Sequence, residues 1–255
     1  MSDADWNVAL AAFRATLPRK SDKGRDDRKF PEEVHFFAVR NVTWRALLTA
    51  FGNSNSICKQ FWRLSQLGAF EACLIPWRAP RHRPIWCRCS TPPRLAPRLC
   101  GGRKKGQNDQ ALGRSRSGFS IEIHSNPDFN GLPIAFYLMP GQASDSRLIP
   151  ALLDLGPEVA PRAVVDDKGF DSEASRADPR SRGICPVIPF KASGKNLPAF
   201  FPKTLYRGHA RIEQCVGKLK RLKRFRPCCE KTAQTYGSIV AFGLTMMLVK
   251  SAHVA

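Results

Sequence analysis

Tyr206, Glu213 and Lys220 are spaced seven residues apart. Seven residues are almost two turns of α-helix, so on a helix these three side chains project along one line. Beside that line Ile212, Cys215, Val216, Leu219 and Leu222 recur at helical spacing, which predicts one amphipathic helix from Tyr206 to Phe225. Glu213 is the line's only carboxylate. A second carboxylate that could meet it is Asp167, which closes the run Ala163-Val164-Val165-Asp166-Asp167 and precedes Lys168-Gly169-Phe170-Asp171-Ser172. A short buried strand followed by such a turn puts Asp167 at the strand's carboxyl end, the edge where open sheets hold ligands. Two converging carboxylates among basic residues can hold Mg2+ for chemistry on phosphodiesters. The same residues also suit plainer roles: a basic surface helix on which the three coincide, a turn cap for Asp167, and more strongly a helix cap for Asp171, because Ser172 begins a helix. Spacing alone leaves both readings open.

The elements that must position these groups are set by the rest of the chain. Its 255 residues suffice for a substantial core, and two parts are expected, a small one and a larger one. A net charge of +20 favours a polyanionic partner, most simply nucleic acid, and says nothing about fold. No charged-then-apolar leader opens the sequence. The longest apolar stretch, Ile239 to Val249, is too short for a bilayer and is interrupted by Gly243 and Thr245, so a cytoplasmic protein without a membrane partner is expected. Nine cysteines, an odd number in a chain without a secretion signal, predict free thiols rather than a disulfide framework.

Met1 to Leu17 reads as a short amphipathic helix, followed by a charged loop from Pro18 to Lys29 and a renewed apolar pattern from Phe30 to Val39. Thr43 to Phe51, a Gly-Asn-Ser-Asn turn, and Ser56 to Gly68 predict helix, tight turn, helix. Lys59 and Arg63 lie on the side of the second helix away from Phe61, where they could meet a DNA groove. Cys73 to Cys100 shows no period of either regular structure and holds prolines, arginines and cysteines without one acidic residue, so no element is expected there. Gly101 to Gly118 reads as a basic, glycine-rich loop with Arg103, Lys104, Lys105, Arg114 and Arg116.

Beyond it, Phe119 to His124 and Ile134 to Leu138 predict a hairpin across the Gly131-Leu132-Pro133 turn. A helix from Ser146 to Leu155, the strand ending at Asp167, a helix from Ser172 to Arg182 and a strand from Cys185 to Pro189 follow. The loop Gly194 to Thr204, the helix bearing Glu213 and a last apolar helix from Thr232 to Val249 complete the chain. That order implies a mixed sheet flanked by helices.

Four ordered segments carry a resemblance. Ala111 to Phe119, Pro140-Gly141-Gln142-Ala143-Ser144-Asp145-Ser146, Asp167 to Ser172, and Tyr206, Glu213 and Lys220 resemble transposases of the insertion sequence five family, the last three matching its Tyr-x2-Arg-x3-Glu-x6-Lys signature. The resemblance implies an α/β, RNase H-like mixed sheet flanked by helices over residues 101–255, preceded by a small all-helical DNA-binding domain over 1–72. It further implies an Asp, Asp, Glu set holding two Mg2+ (or Mn2+) ions for cutting and joining DNA. Asp167 would be the second ligand and Glu213 the third. Lys220 and Tyr206 would contact phosphate, and His209 stands where the signature has Arg, keeping a donor without the permanent charge or the bidentate fork. Arg114, Arg116, Lys59 and Arg63 are the other expected DNA contacts. Double-stranded DNA, as transposon ends and target, would be the partner, bound by a homodimer in a bacterial cytoplasm.

The family's first aspartate, in an Asp-Ser-Thr motif, has no counterpart here. Residues 73–100 occupy its place and contain no Asp. Reading one frame over, Trp86-Cys87 forces Val, and Arg88 to Pro93 permits Met-Phe-Asp-Ser-Thr, with Asp arising across Ser90 and Thr91. The segment is therefore read as family sequence entered and left by two compensating frame shifts, which predicts impaired catalysis. Without that strand, the arginines and prolines would also leave the centre of the sheet poorly filled. A non-catalytic DNA-binding remnant is the alternative. Zinc is disfavoured because Cys87-x-Cys89 lacks knuckle spacing, and general RNA binding because aromatic and basic residues do not interleave on strands.

Overall fold

The computed structural model describes residues 1–16, 27–77, 85–87, 113–115, 118–128, 130–140, 148–155, 161–192, 200–225, 230 and 232–252. The apolar spacing of the first 72 residues becomes four helices: α1 (Asp3–Thr16), α2 (Lys29–Arg40), α3 (Ser54–Gln66) and α4 (Ala69–Ala72). Asn41, in the left-handed region at φ 55°, ends α2. Asn53 caps α3 by accepting from the backbone N–H of Asn55 at 2.9 Å.

The helix expected from Thr43 to Phe51 does not form. Two 3-10 turns, Trp44–Ala46 and Thr49–Phe51, are separated by extended Leu47 and Leu48, with ψ near 140°. The cause is tertiary. Trp44 stacks on Phe37 with ring centres 3.7 Å apart, and Leu47 is buried. The helical hairpin is thus α2 and α3 joined by two tight turns.

Phe13, Phe37, Phe61 and Phe70 meet Tyr236, Ile239 and Phe242 of α9 (Ala233–Ser251), together with Ile121 and Ile123. Each large side chain so buried contributes about 1.5–3 kcal/mol. Thr232 caps α9 through the backbone N–H of Thr235, at 3.2 Å. One apolar core therefore joins the N-terminal helices to the C-terminal one, across the expected boundary at Ala72.

Residues 73–100 are not without structure, contrary to expectation. Cys73 and Leu74 are buried in this core, Ile75–Trp77 is a 3-10 turn, and Ile85–Cys87 forms strand β1. The strand uses an Ile-Trp-Cys triplet with the bulk that strands favour, and not the arginines and prolines around it.

Among the described residues there are two three-stranded sheets instead of one mixed sheet. In the first, β1 lies parallel to β5 (Ala163–Val165), which lies parallel to β6 (Cys185–Val187), with Cys87 opposite Val165 and Val165 opposite Val187. In the second, β2 (Gly113–Ser115), β3 (Gly118–Pro127) and β4 (Pro133–Pro140) are antiparallel. Arg114 thus sits in a strand and not in the expected loop, because β2 folds back onto Gly118–Ser120. The sheets are neighbours through β1 and β3. Helices α5 (Leu148–Asp154) and α6 (Glu173–Ser181) cover one face of β5, burying Ile149, Leu153, Phe170 and Ile184 against Val164. No described helix is long and apolar enough to cross a membrane.

Candidate functional site

Alternation along β5 decides where its two aspartates go. Val164 faces the α5–α6 side, whereas Ala163 and Val165 face the other way, against Val187, Phe201, Leu205 and Tyr206. Successive strand residues point to opposite faces, so Asp166 follows Val164, and Asp167 follows Ala163 and Val165. The backbone N–H of Asp166 donates to Val187 O at 3.2 Å, which carries the ladder one residue past β5, and Asp167 is still extended. Asp166 is consequently buried in the interior. Asp167 emerges half-buried at the carboxyl end, on the side of Tyr206.

Asp167 Oδ1 accepts from the backbone N–H of Gly169 at 2.6 Å and caps the 3-10 turn Lys168–Phe170, so the plainer capping role is present and engages one of its oxygens. Phe170 is buried and pins the turn. Asp171 does not cap the next helix. Ser172 does, accepting from Ser175 N at 3.1 Å, because its hydroxyl stands one residue closer to the orphan N–H groups. Asp171 instead accepts from Lys191 N at 2.6 Å and from two nitrogens of Arg176 at 2.7 and 3.1 Å. Partial burial pushes its carboxyl up, but the Lys191 and Arg176 hydrogen bonds outweigh this and hold it below the usual range. Arg176 also donates to Ile188 O at 2.8 Å and covers the Phe190 ring at 3.6 Å. This clasp ties the exit of β5 to the exit of β6. Sequence reading missed it, since Lys191 acts through its backbone, twenty residues away.

The helix expected from Tyr206 to Phe225 is three pieces: α7 (Lys203–Tyr206), α8 (His209–Lys220) and a 3-10 turn over Lys223–Phe225. The break is mild. Arg207 and Gly208 keep right-handed helical angles while the bonds there tighten to i→i+3, as from Gly208 N to Leu205 O at 3.0 Å. Replacing two α steps by 3-10 steps rotates Tyr206 relative to Glu213 by about 40°, which leaves them on one side.

Tyr206 packs on the β5–β6 face, edge-on to Phe201, and His209 stacks on it with ring centres 5.5 Å apart and planes 23° off parallel. His209 Nε2 is enclosed without a hydrogen-bond partner. Glu213 is exposed and makes no ion pair with any described residue. Cys215, Val216 and Leu219 carry the apolar face, packing toward Ile123 and Ser125. Burial pushes the Cys215 thiol up to about 11. Half-buried Lys220 borders a void of about 10 Å³ there, room for roughly one water. Ile212's side chain lies outside the described residues.

Strand alternation thus directs Asp167 to the side of β5 on which Tyr206 packs, with Glu213 about two turns further along the same helical segment. Lys59 and Arg63 are exposed on α3, with Trp62 between them 58% exposed. The side chain of Arg114, and Arg116, lie outside the described residues. Among the described residues no three His, Cys, Asp or Glu side chains converge as a metal site. Asp167 offers one oxygen free of the turn and Glu213 offers two, so these residues do not complete the six-oxygen set that Mg2+ takes. The four described cysteines whose side chains are defined, Cys58, Cys73, Cys185 and Cys215, are free thiols.

A parallel sheet with a carboxylate at its exit, flanked by a basic amphipathic helix, is an arrangement suited to phosphate-bearing partners. No protein-family model matches the chain. The chain is similar to a protein of Burkholderia cepacia named as the transposase for insertion sequence element IS402, with 29% identity over 161 residues, 59% of this chain and 71% of the relative. A solved structure, the Mos1 strand transfer complex, aligns over 92% of this chain and 81% of its own at 13% identity and a TM-score of 0.29.

Proposed function

We infer that the chain is an insertion-sequence transposase polypeptide with an RNase H-like catalytic part and a helical DNA-binding part over residues 1–72. What carries this is the packing of Tyr206 on the β5–β6 face, the side to which alternation along β5 directs Asp167, with α8 and Glu213 following Tyr206 in the chain. The similarity to the IS402 protein supports the class. In this reading Asp167 and Glu213 are two of three carboxylate ligands for Mg2+ or Mn2+, and Tyr206, His209 and Lys220 hold phosphate beside them. Lys59 and Arg63 on α3 read the transposon end, with Arg114 and Arg116 as further backbone contacts.

The remaining ligand, the family's first aspartate, is the one that the frame-shifted segment lacks. Its potential Asp codon falls across Ser90 and Thr91, three to four residues after Cys87. Cys87 is the strand residue opposite Val165, and Asp167 stands two residues after Val165. The chain as it stands binds transposon ends and cuts poorly or not at all.

Incubation with end-containing duplex DNA and Mg2+ tests this. Preferential binding of the end sequence over a scrambled duplex is expected, and equal binding of both would contradict the reading. Strand cleavage abolished by Asp167→Ala would return the chain to the active enzymes. Binding without cleavage favours the non-catalytic remnant.

A further inference from the structure

Along α7, α8 and the helical residues that follow each, basic residues recur in steps of four, seven and three: Lys203, Arg207, Arg211, Lys218 and Arg221. Residues so spaced share one face of a helix. All five are exposed, and among the described residues none is in an ion pair, Arg211 only touching Gln214 at 3.3 Å. No acidic residue interrupts the row, because Glu213 projects to one side of it, along the line of Tyr206 and Lys220. From Lys203 to Arg221 the row is roughly 27 Å long at 1.5 Å per residue.

A second observation sits in its middle. Gly217 is exposed, mid-helix, and a β-carbon placed on it would meet nothing within 4 Å. Glycine there costs a helix about 1 kcal/mol relative to Ala, and no packing among the described residues calls for it. Absence of a side chain between Gln214, Lys218 and Arg221 leaves the backbone open to close approach by something outside the chain.

We propose that this row is a docking track for the phosphate backbone of duplex DNA, running alongside Glu213, with Gly217 as the point of closest approach. The proposal deepens the transposase reading and rests on it for the identity of the duplex. Its length matches about eight base pairs at 3.4 Å each, and cations that no described carboxylate neutralises complement a regular array of phosphates. Such contacts hold a strand in register and carry no sequence information.

Salt dependence of duplex binding tests the track on the full chain. The variant Lys203→Gln, Arg207→Gln, Arg211→Gln, Lys218→Gln, Arg221→Gln is compared with a control that removes five exposed charges elsewhere, at Lys29, Arg40, Arg162, Arg180 and Lys250. The slope of log affinity against log salt is expected to flatten by about 3–5 in the track variant and by less than about 1 in the control, on end-containing and scrambled duplex alike. Equal flattening in both would overturn the track. Gly217→Leu is expected to weaken duplex binding at least about tenfold at undiminished thermal stability, since Leu favours helix over Gly. Unchanged affinity would overturn the close approach, and an equal loss on single-stranded RNA would assign the track to a different partner and overturn the proposal. Because the slope is read on both duplexes, a chain without preference for ends would sink the transposase reading and leave the track result standing.

Discussion

A β-carbon placed on Gly243 of α9 would stand 2.7 Å from Cζ of Phe225 and 2.9 Å from Cδ1 of Leu222, whereas one placed on Gly217 of α8 would meet nothing within 4 Å. The two glycines mark two regions built on different terms. Around α9 polar side chains find partners inside: Ser238 bonds Ser65 at 2.7 Å and Glu71 at 3.1 Å, and Arg224 pairs with Glu230 at 2.9 Å while donating to Val42 O and covering Phe37. On the outer face of the segment from Lys203 to Arg221, among the described residues, the five cations and Glu213 are in no ion pair, Arg211 touching only Gln214 at 3.3 Å. The helical core therefore accounts for itself, and the sheet-exit side points outward. Side chains left without internal partners show where an external one belongs.

The comparison can be broken first at its strongest internal point. Arg224→Met would leave the buried Glu230 carboxylate without its guanidinium, and a loss of about 3–5 kcal/mol in urea unfolding is expected. A loss under about 1 kcal/mol would mean that the pair is incidental to the join between α8 and α2. Gly243→Ala should cost about 1–3 kcal/mol, because Phe225 and Leu222 must shift to admit the methyl group.

Asp171→Asn probes the clasp that ties the exits of β5 and β6. Native Asp171 holds its proton less firmly than it would unfolded, so its contribution is full above the unfolded value of 3.8 and is lost as pH falls through the lower folded value. The variant's stability should accordingly fall less steeply with acidification below about pH 4. An acid limb identical to the parent's would remove Asp171 from the account. Gly217→Ala should have the smallest effect and the opposite sign to Gly243→Ala, a gain of up to about 1 kcal/mol. Destabilisation there would erase the contrast between the two helices.

What periodicity can carry was legible in the sequence. The hairpin of β3 and β4, the helices α6 and α9, and the strand delivering Asp167 to a carboxyl edge all follow from local spacing. What failed depended on distant partners. Thr43 to Phe51 reads as a helix until Trp44 is stacked on Phe37, and Ile85–Cys87 is invisible as a strand until β5 lies beside it. The role of Asp171 hung on a backbone N–H beyond β6, which no side-chain pattern records. At the site, seven-residue spacing aligned Tyr206 with Glu213, but their relation to Asp167 needed the parity of β5 and the packing of Tyr206 against it. The basic row from Lys203 to Arg221 was present as four-, seven- and three-residue steps, hidden within an overall charge of +20.

The central claim is that Asp167 and Glu213 are two carboxylates of a DNA-cutting site whose third lies in the shifted segment. Its most direct test is strand cleavage of end-containing duplex in Mg2+ by a chain whose segment across Arg88 to Pro93 is read in the neighbouring frame, as Met-Phe-Asp-Ser-Thr. The account predicts cleavage by the restored chain, none by the chain as it stands, and loss again on Asp167→Ala or Glu213→Ala. Cleavage by the present chain that survives Glu213→Ala would contradict it.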